Sequence, residues 1–430
     1  MNALVLNHCA HNKGDRAVLF FVVRELAGAG VKEIAVSCNE RRFYPAAWRV
    51  GGTLVSCVPG GWNAEMGERR SRLPHIRERI KGHVYRRLWW RLVAHLIVTG
   101  KLVRPGFLPL DRRYASALKS AGLVIGTGGH HLSSEIGWDG VCPNSFDMAA
   151  AVLSGKRVGL WSQTVGPFRF RDVRNRDLVR ALLSRVECLY VRDTESVVEV
   201  ERLGGPVKLF KTYESVLGLS DTFGAIRVQR RERPILGVAI YSAQARTTEA
   251  HAHYTGAIAE AVRHAIGTGW QVWFFPMEMR GSPVDDRPCI RDIVSAIPSE
   301  LCQVWDDDVD TRTHLRKVAE CDAFIGHKTH STIFALLTGT PLLAIAYHRK
   351  TRDFMKQYRL EEFCIDECDL TGERLCAAFD RLRAALNGVA QQEWRTTQQL
   401  GAAVRRDFRD MISRLGALGA PALADLEAVR

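Results

Sequence analysis

Residues 322–337 read DAFIGHKTHSTIFALL. The apolar run Ala323-Phe324-Ile325-Gly326 has the length and composition of a buried strand. A polar loop, His327-Lys328-Thr329-His330, follows it, and an apolar helical segment begins at Ser331. Strand, loop and helix in immediate succession is half of a βαβ unit. The same alternation runs outward through the chain. NALVLNH (2–8) precedes a helical pattern at 15–27 and then EIAVSC (33–38). GLVIGTG (122–128), KRVGLWS (156–162) and CLYVRD (188–193) follow. After them come ILGVAI (235–240), a helix at 253–266, QVWFFP (271–276) and PLLAIAY (341–347). Alternation of this kind predicts an α/β fold of parallel sheets covered by helices on both faces. The polar stretch DTFGAIRVQRRERP (221–234) interrupts it once. Two domains are therefore expected, at 1–220 and 234–390. The Ala-, Leu- and Arg-rich remainder, 391–430, reads as C-terminal helices. In open α/β sheets ligands bind beyond the carboxyl ends of the strands, so the cleft between two such domains and the residues just after each strand are where chemistry is expected.

Composition agrees with two soluble domains. At 430 residues, 46% hydrophobic and 25% charged, the chain can bury sizeable cores and is neither fibrous nor disordered. The net charge of +13 is concentrated: residues 69–113 hold thirteen Lys and Arg but only two acids, Glu78 and Asp111. That pattern predicts a local basic surface rather than a coat for nucleic acid. The eleven cysteines contain no CxxC pair, which points to a reduced, cytoplasmic setting. The start MNALVLNHCAHNKGD does not read as a signal peptide. The apolar run at 88–98 is interrupted by Arg91 and His95 and falls short of the ~20 residues a spanning helix needs.

Within 88–98, Leu88, Trp89, Leu92, Val93 and Leu96 recur at helical spacing, with Arg86, Arg87 and Arg91 beside them. This segment is read either as an amphipathic helix lying on an anionic membrane, or as a helix packing its apolar stripe on its own domain. Tyr85, Trp89 and Trp90 also permit stacking on RNA, but no nucleic-acid signature accompanies them, and no nucleic-acid partner is expected.

Five loops stand at strand ends. In 7–18, Gly14 permits close approach of backbone to ligand, and Asp15 either caps the next helix or holds a substrate hydroxyl. Gly126-Thr127-Gly128-Gly129 lacks the third glycine of a dinucleotide loop and is read as a tight turn or a ligand-facing one. Ser162-Gln163-Thr164-Val165-Gly166-Pro167 brings polar residues to the same edge. Arg192, at a strand end, can clamp an anion with its planar fork or pair with Asp193 on the surface. The loop 327–330 places two imidazoles and an ammonium at a helix N-terminus, which favours an anion by roughly 0.3–2 kcal/mol. Lys350 adds charge nearby. Trp305-Asp306-Asp307-Asp308 reads as the acidic start of a helix, and His327-x-x-His330 lacks a third ligand, so no metal is expected.

Asn12-Lys13-Gly14-Asp15, Gly128-Gly129, the segment 162–167, Arg192-Asp193-x-x-Ser196, and His330 followed by Gly339-x-Pro341 and Tyr347-x-x-Lys350 form an ordered set over roughly residues 1–365. In order and spacing the set resembles the polysaccharide pyruvyl transferase family. The resemblance implies two Rossmann-like domains facing a cleft, similar to GT-B glycosyltransferases. It also implies transfer of pyruvate from phosphoenolpyruvate to a sugar as a ketal. By that resemblance His330 is the expected acid and Arg192 a catalytic donor contact. Lys328, Thr329, Ser331 and Lys350 would complete the donor site, and Asn12, Asp15, Gly128, Gly129 and Gln163 the acceptor site. Lys328 stands where the family carries an arginine, keeping the charge without the bidentate fork. Glu214-Ser215 replaces an Asp-Pro element of the family. By the same resemblance phosphoenolpyruvate would serve as co-substrate, and no cofactor is expected. A lipid-linked sugar acceptor would place the protein at the cytoplasmic face of the membrane, in cell-envelope polysaccharide biosynthesis. The competing enzyme reading is a GT-B glycosyltransferase using a nucleotide sugar.

Overall fold

The computed structural model describes residues 1–6, 8–38, 40, 43–60, 88, 91–108, 110–134, 143–170, 173–223, 232–242, 247–279, 285–297, 299–347 and 349–416. The chain forms two compact units. The first comprises Met1–Ala10, Val18–Ser215 and the residues from Ala403 on; the second comprises His11–Ala17 and Val216–Ala402.

The first unit contains β1 (Asn2–Leu6), α1 (Lys13–Gly28, from Val18), β2 (Glu33–Ser37), β3 (Ala47–Val50) and β4 (Thr53–Val58). These are followed by α2 (Arg112–Ser120), β5 (Leu123–Gly126), β6 (Gly129–Leu132), α3 (Pro143–Leu153) and β7 (Val158–Val165). Finally come α4 (Val173–Leu183), β8 (Cys188–Val191), α5 (Thr194–Leu203) and β9 (Leu209–Lys211). Its sheet runs β3-β4-β2-β1-β5-β7-β8-β9, with β6 also on β7, and is parallel except for the β3–β4 hairpin. Every residue of β5, β7 and β8 is buried, as strands covered on both faces require. The hairpin, absent from the sequence reading, turns through Gly51-Gly52, with Gly51 at φ +58°.

The second unit contains β10 (Ile235–Ala239), α6 (Thr248–Gly267), β11 (Gln271–Phe274), α7 (Arg287–Ser295), β12 (Cys302–Val304) and α8 (Thr311–Ala319). β13 (Ala323–Gly326), α9 (Thr329–Thr338), β14 (Leu342–Ala346), α10 (Arg349–Gln357), β15 (Cys364–Asp366) and α11 (Gly372–Arg414) follow. Its parallel sheet runs β12-β11-β10-β13-β14-β15, the doubly wound order of a Rossmann fold. The order reverses between β10 and β13. The decisive stretch therefore ends its strand at the switch point, where such sheets bind ligands. β10, β13 and β14 are buried throughout, and a Cβ on Gly237 of β10 would overlap the Phe324 ring of β13.

Three expectations change. The first unit's sheet domain ends at Ser215, not 220. The boundary at 391 falls inside α11, a single helix of 43 residues. Its part up to Ala402 is counted with the second unit and its part from Ala403 with the first. Leu375, Ala378, Phe379 and Leu382 recur at three- and four-residue steps, and Val389, Glu393 and Thr397 carry the buried face on past 391, so one helix runs unbroken across that boundary. Lastly, residues 91–99 are helical, and Val93, Leu96 and Ile97 join the first unit's core with Leu4, Leu6 and Tyr114. Leu92, Val93 and Leu96 of the stripe thus serve their own domain, while Leu88 is 58% exposed. Arg86, Arg87 and Trp89 lie outside the described residues.

Candidate active site

In the second unit, the chain leaves β13 with His327 N still donating to Ala239 O (3.0 Å). The buried His327 ring meets Tyr254 Oη through Nδ1 at 2.8 Å and approaches Glu367 at 3.4 Å, with Tyr241 and Tyr347 rings around it. It is a packed, bonded core histidine. Lys328 is buried as well. Its Nζ lies 2.9 Å from Asp286 Oδ1 and 3.3 Å from Glu278 Oε1. Asp286 also accepts from the backbone N–H groups of Met277 (3.0 Å) and Glu278 (2.9 Å). Burial raises the Asp286 pKa, opposed by the Lys328 ammonium and these hydrogen bonds. The ammonium expected to grip the donor is thus committed to two carboxylates. It anchors the loop.

Lys328 is the N-cap of α9 without a side-chain capping bond. Ser331, expected as a donor contact, is buried and donates to Lys328 O at 2.7 Å, closing the first turn on itself. Thr329 lies half-buried, 3.5 Å from Tyr347 Oη. His330 is half-buried in the same turn, against Gly14, and a Cβ on Gly14 would overlap its ring. Gly14 belongs to the first turn of α1, so the starts of two helices meet at His330; at α1 the first N–H groups are already bonded, Lys13 N to Met277 O (3.2 Å) and Gly14 N to Asn12 Oδ1, which leaves the anion-favouring role to the start of α9. Lys350, half-buried, lies in the first turn of α10.

Asn12, not Asp15, caps α1: its Oδ1 accepts from Gly14 N at 2.7 Å, while its Nδ2 donates to Glu278 at 3.2 Å. Asn12 and Asp15 were expected on the acceptor side of the first domain, but the structure counts both with the second unit. A buried basic cluster beside them escaped the sequence reading. Lys13 Nζ lies 3.4 Å from His314 Nδ1 and 3.5 Å from Asp307 O, and Arg16 pairs with Asp308 at 2.6 Å. Burial pushes Lys13 down to about 8. Burial, together with Lys13 and Arg16, holds His314 well below the ordinary imidazole range. The signal was Lys13 within the Asn12–Asp15 motif. The acidic run 306–308 supplies the partners, and the helix cap is Asp310, which accepts from Arg312 N at 2.8 Å.

In the first unit the polar ends of β5, β7 and β8 converge. Arg192 Nε donates to Thr164 Oγ1 at 2.9 Å and its Nη1 pairs with Glu214. Asp193 caps α5 by accepting from Ser196 N at 2.7 Å. Arg192 is therefore neither a surface partner of Asp193 nor an open anion clamp. Gln163 is buried, its amide nitrogen on Thr127 O and Trp161 O (3.1 Å). Ser162, at φ +46°, donates to Tyr213 O at 2.9 Å. A non-glycine residue in the left-handed region costs of order 1–3 kcal/mol and marks functional segments. Gly128 has a packing reason: a Cβ there would lie 3.0 Å from Ser215 Oγ. Gly129 pairs with Gln163 in the sheet register. Among the described residues no three His, Cys, Asp or Glu side chains gather as a metal site.

The solved structures resembling this chain share its fold. A putative UDP-N-acetylglucosamine 2-epimerase from Listeria monocytogenes matches at TM-score 0.57 and 12% identity, over 98% of both chains. Sucrose-phosphate synthase from Thermosynechococcus elongatus matches at 0.55 and 11%, over 97% of this chain and 99% of the other. This is the GT-B architecture of two Rossmann-like units. The amylovoran biosynthesis protein AmsJ of Erwinia amylovora is 23% identical across 96% of this chain and 99% of its own length. The family profile described as polysaccharide pyruvyl transferase matches residues 12–349, from the cap of α1 to the start of α10. All the motif and site residues but Lys350 lie inside that match, and the chain belongs to the polysaccharide pyruvyl transferase family.

Proposed function

We propose that this transferase moves pyruvate from phosphoenolpyruvate onto a sugar of a polysaccharide or glycolipid precursor, forming a ketal. The observation that carries the reading is His330 at the switch point of the second sheet, between the N-termini of α1 and α9. The N-terminus of α9 suits an anionic group of the donor, with Lys350 adding charge. Lys328 positions the loop through Asp286 and Glu278.

Protonated His330 delivers its proton to the methylene carbon of phosphoenolpyruvate, leaving an oxocarbenium-like centre at C2. A sugar hydroxyl adds there, the C2–O bond to phosphate breaks, and a second hydroxyl closes the ketal. Of the two hydroxyl protons, one replaces that given by His330 and the other leaves with phosphate. Fixed dipoles around the leaving charge are sufficient stabilisers, so the reaction needs no cofactor. A lipid-linked acceptor fits a peripheral position at the cytoplasmic face of a membrane. Val98, Leu102 and Phe107 are 58%, 66% and 53% exposed, and Lys101 and Arg104 stand among them. The test is phosphate release from phosphoenolpyruvate across lipid-linked and nucleotide-linked sugars. Release that depends on one acceptor supports the reading. Binding of nucleoside diphosphate, with phosphoenolpyruvate ignored, would favour the glycosyltransferase alternative.

A further inference from the structure

In the first unit, three buried polar atoms at the strand ends have no hydrogen-bond partner among the described residues: Gln163 Oε1, Glu214 Oε1 and Ser215 Oγ. Side-chain burial is nearly complete at all three residues. They belong to one knot. Gly128 lies against both Ser215 and Ser162, a Cβ there falling 3.0 Å from Ser215 Oγ and 3.2 Å from Ser162 O; Arg192 N donates to Gln163 O at 3.2 Å, and the Arg192 side chain pairs with Glu214. Buried polar atoms are rarely left unpaired, and three in one place at the ligand edge of a parallel sheet point to a ligand that pairs them.

The chemistry of that ligand follows from the atoms. Both neighbours of the Gln163 amide nitrogen are carbonyl oxygens, so the nitrogen must face them and Oε1 is an acceptor. Glu214 Oε1 is an acceptor, and Ser215 Oγ can donate or accept. A phosphate or carboxylate would meet two acceptors and be repelled. A cation has no net charge to answer, because Arg192 already balances Glu214. What remains is a neutral molecule with neighbouring hydroxyl donors. We infer that Gln163, Glu214 and Ser215 form the pocket that reads vicinal hydroxyls of the sugar, with Arg192 as the positioning residue that holds Glu214. This rests on the pyruvyl transfer reading only in making that sugar the acceptor. It also moves Arg192 from the donor to the acceptor side.

The test omits phosphoenolpyruvate. Saturation-transfer difference NMR on the full chain would measure binding of methyl glycosides of glucose, galactose, mannose and N-acetylglucosamine, each beside its per-O-methylated form. At least one glycoside should bind, and its methylated form should not. Glu214→Gln should weaken binding about tenfold or more, and Ser215→Ala about two- to tenfold. Should Glu214→Gln fail to fold because Arg192 loses its partner, Ser215→Ala carries the test, since it removes a hydroxyl that bonds nothing described. No binding by any glycoside, or unchanged binding in the folded variants, overturns the inference. Glycoside binding that obeys these variants while phosphoenolpyruvate is never consumed would sink the pyruvyl reading and leave the pocket standing.

Discussion

His330 is held in place by an absence of side chain at Gly14, and this makes the pair testable together. His330→Ala should lower turnover by about 10²–10⁴, the range for a lost proton-transfer group, with the melting temperature nearly unchanged because the ring is only half-buried. Gly14→Ala adds a methyl where the ring sits, so it should displace His330 and reduce kcat by about tenfold or more. Steady-state kinetics beside thermal melts would separate the two effects, and a fully active Gly14→Ala would remove the packing argument. Lys13 gives a second residue-scale prediction. Below about pH 8 it is charged in folded and unfolded chains alike; above that the folded protein releases its proton first. The unfolded chain then binds more protons up to the ordinary lysine value, so this group makes stability rise between about pH 8 and 10.5. The rise amounts to roughly 3 kcal/mol. Urea unfolding across that window should show this component in the wild type and not in Lys13→Met.

At the scale of elements, the loop between β13 and α9 depends on a buried ion pair. Lys328→Ala leaves Asp286 and Glu278 facing each other without their cation and should destabilise the protein by about 3–5 kcal/mol. Loss of donor affinity without that destabilisation, in denaturant titrations, would return Lys328 to direct donor contact. Helix α11 carries a buried acid, Glu393, whose Oε1 accepts from Leu342 N at 3.0 Å and whose pKa burial drives well up. The folded state keeps this proton where the unfolded chain has lost it, so the group makes stability fall as pH rises above the ordinary glutamate range. Glu393→Gln mimics the protonated acid. Its advantage over the wild type should be absent near pH 4 and grow as pH rises above the ordinary glutamate range, which urea unfolding across that range would measure. The strands and short helices were legible because covered parallel strands announce themselves as apolar runs, as Leu342–Ala346 does. Other features were less so. The β3–β4 hairpin shows in the sequence only as the turn signal Gly51-Gly52, because its strands are short and half-exposed. The unbroken course of α11 through 391 depends on packing against residues far away in sequence. The strand-end positions of Lys328 and Arg192 could be read, but their partners, Asp286 and Glu214, are tertiary facts with no local spacing to reveal them.

For the whole molecule, membrane docking and pyruvyl transfer are separable. The helix at 91–99 buries Val93 and Ile97, so among the described residues of this segment lipid contact is left to the exposed Leu88, Val98, Leu102 and Phe107 with their basic neighbours. Sedimentation with vesicles of anionic lipid should show salt-sensitive binding that Leu102→Ser with Phe107→Ser weakens, since each basic group near such a surface contributes about 1 kcal/mol before screening. Equal binding by the double variant would make the patch an ordinary surface. The central claim concerns the bond that is made. Mass spectrometry of the acceptor after incubation with phosphoenolpyruvate labelled with carbon-13 in all three carbons follows that bond directly. The account predicts an acceptor carrying all three labelled carbons as a ketal, with one phosphate released for each. An acceptor that stays unlabelled, or that gains a hexose when a nucleotide sugar is supplied instead, would contradict it.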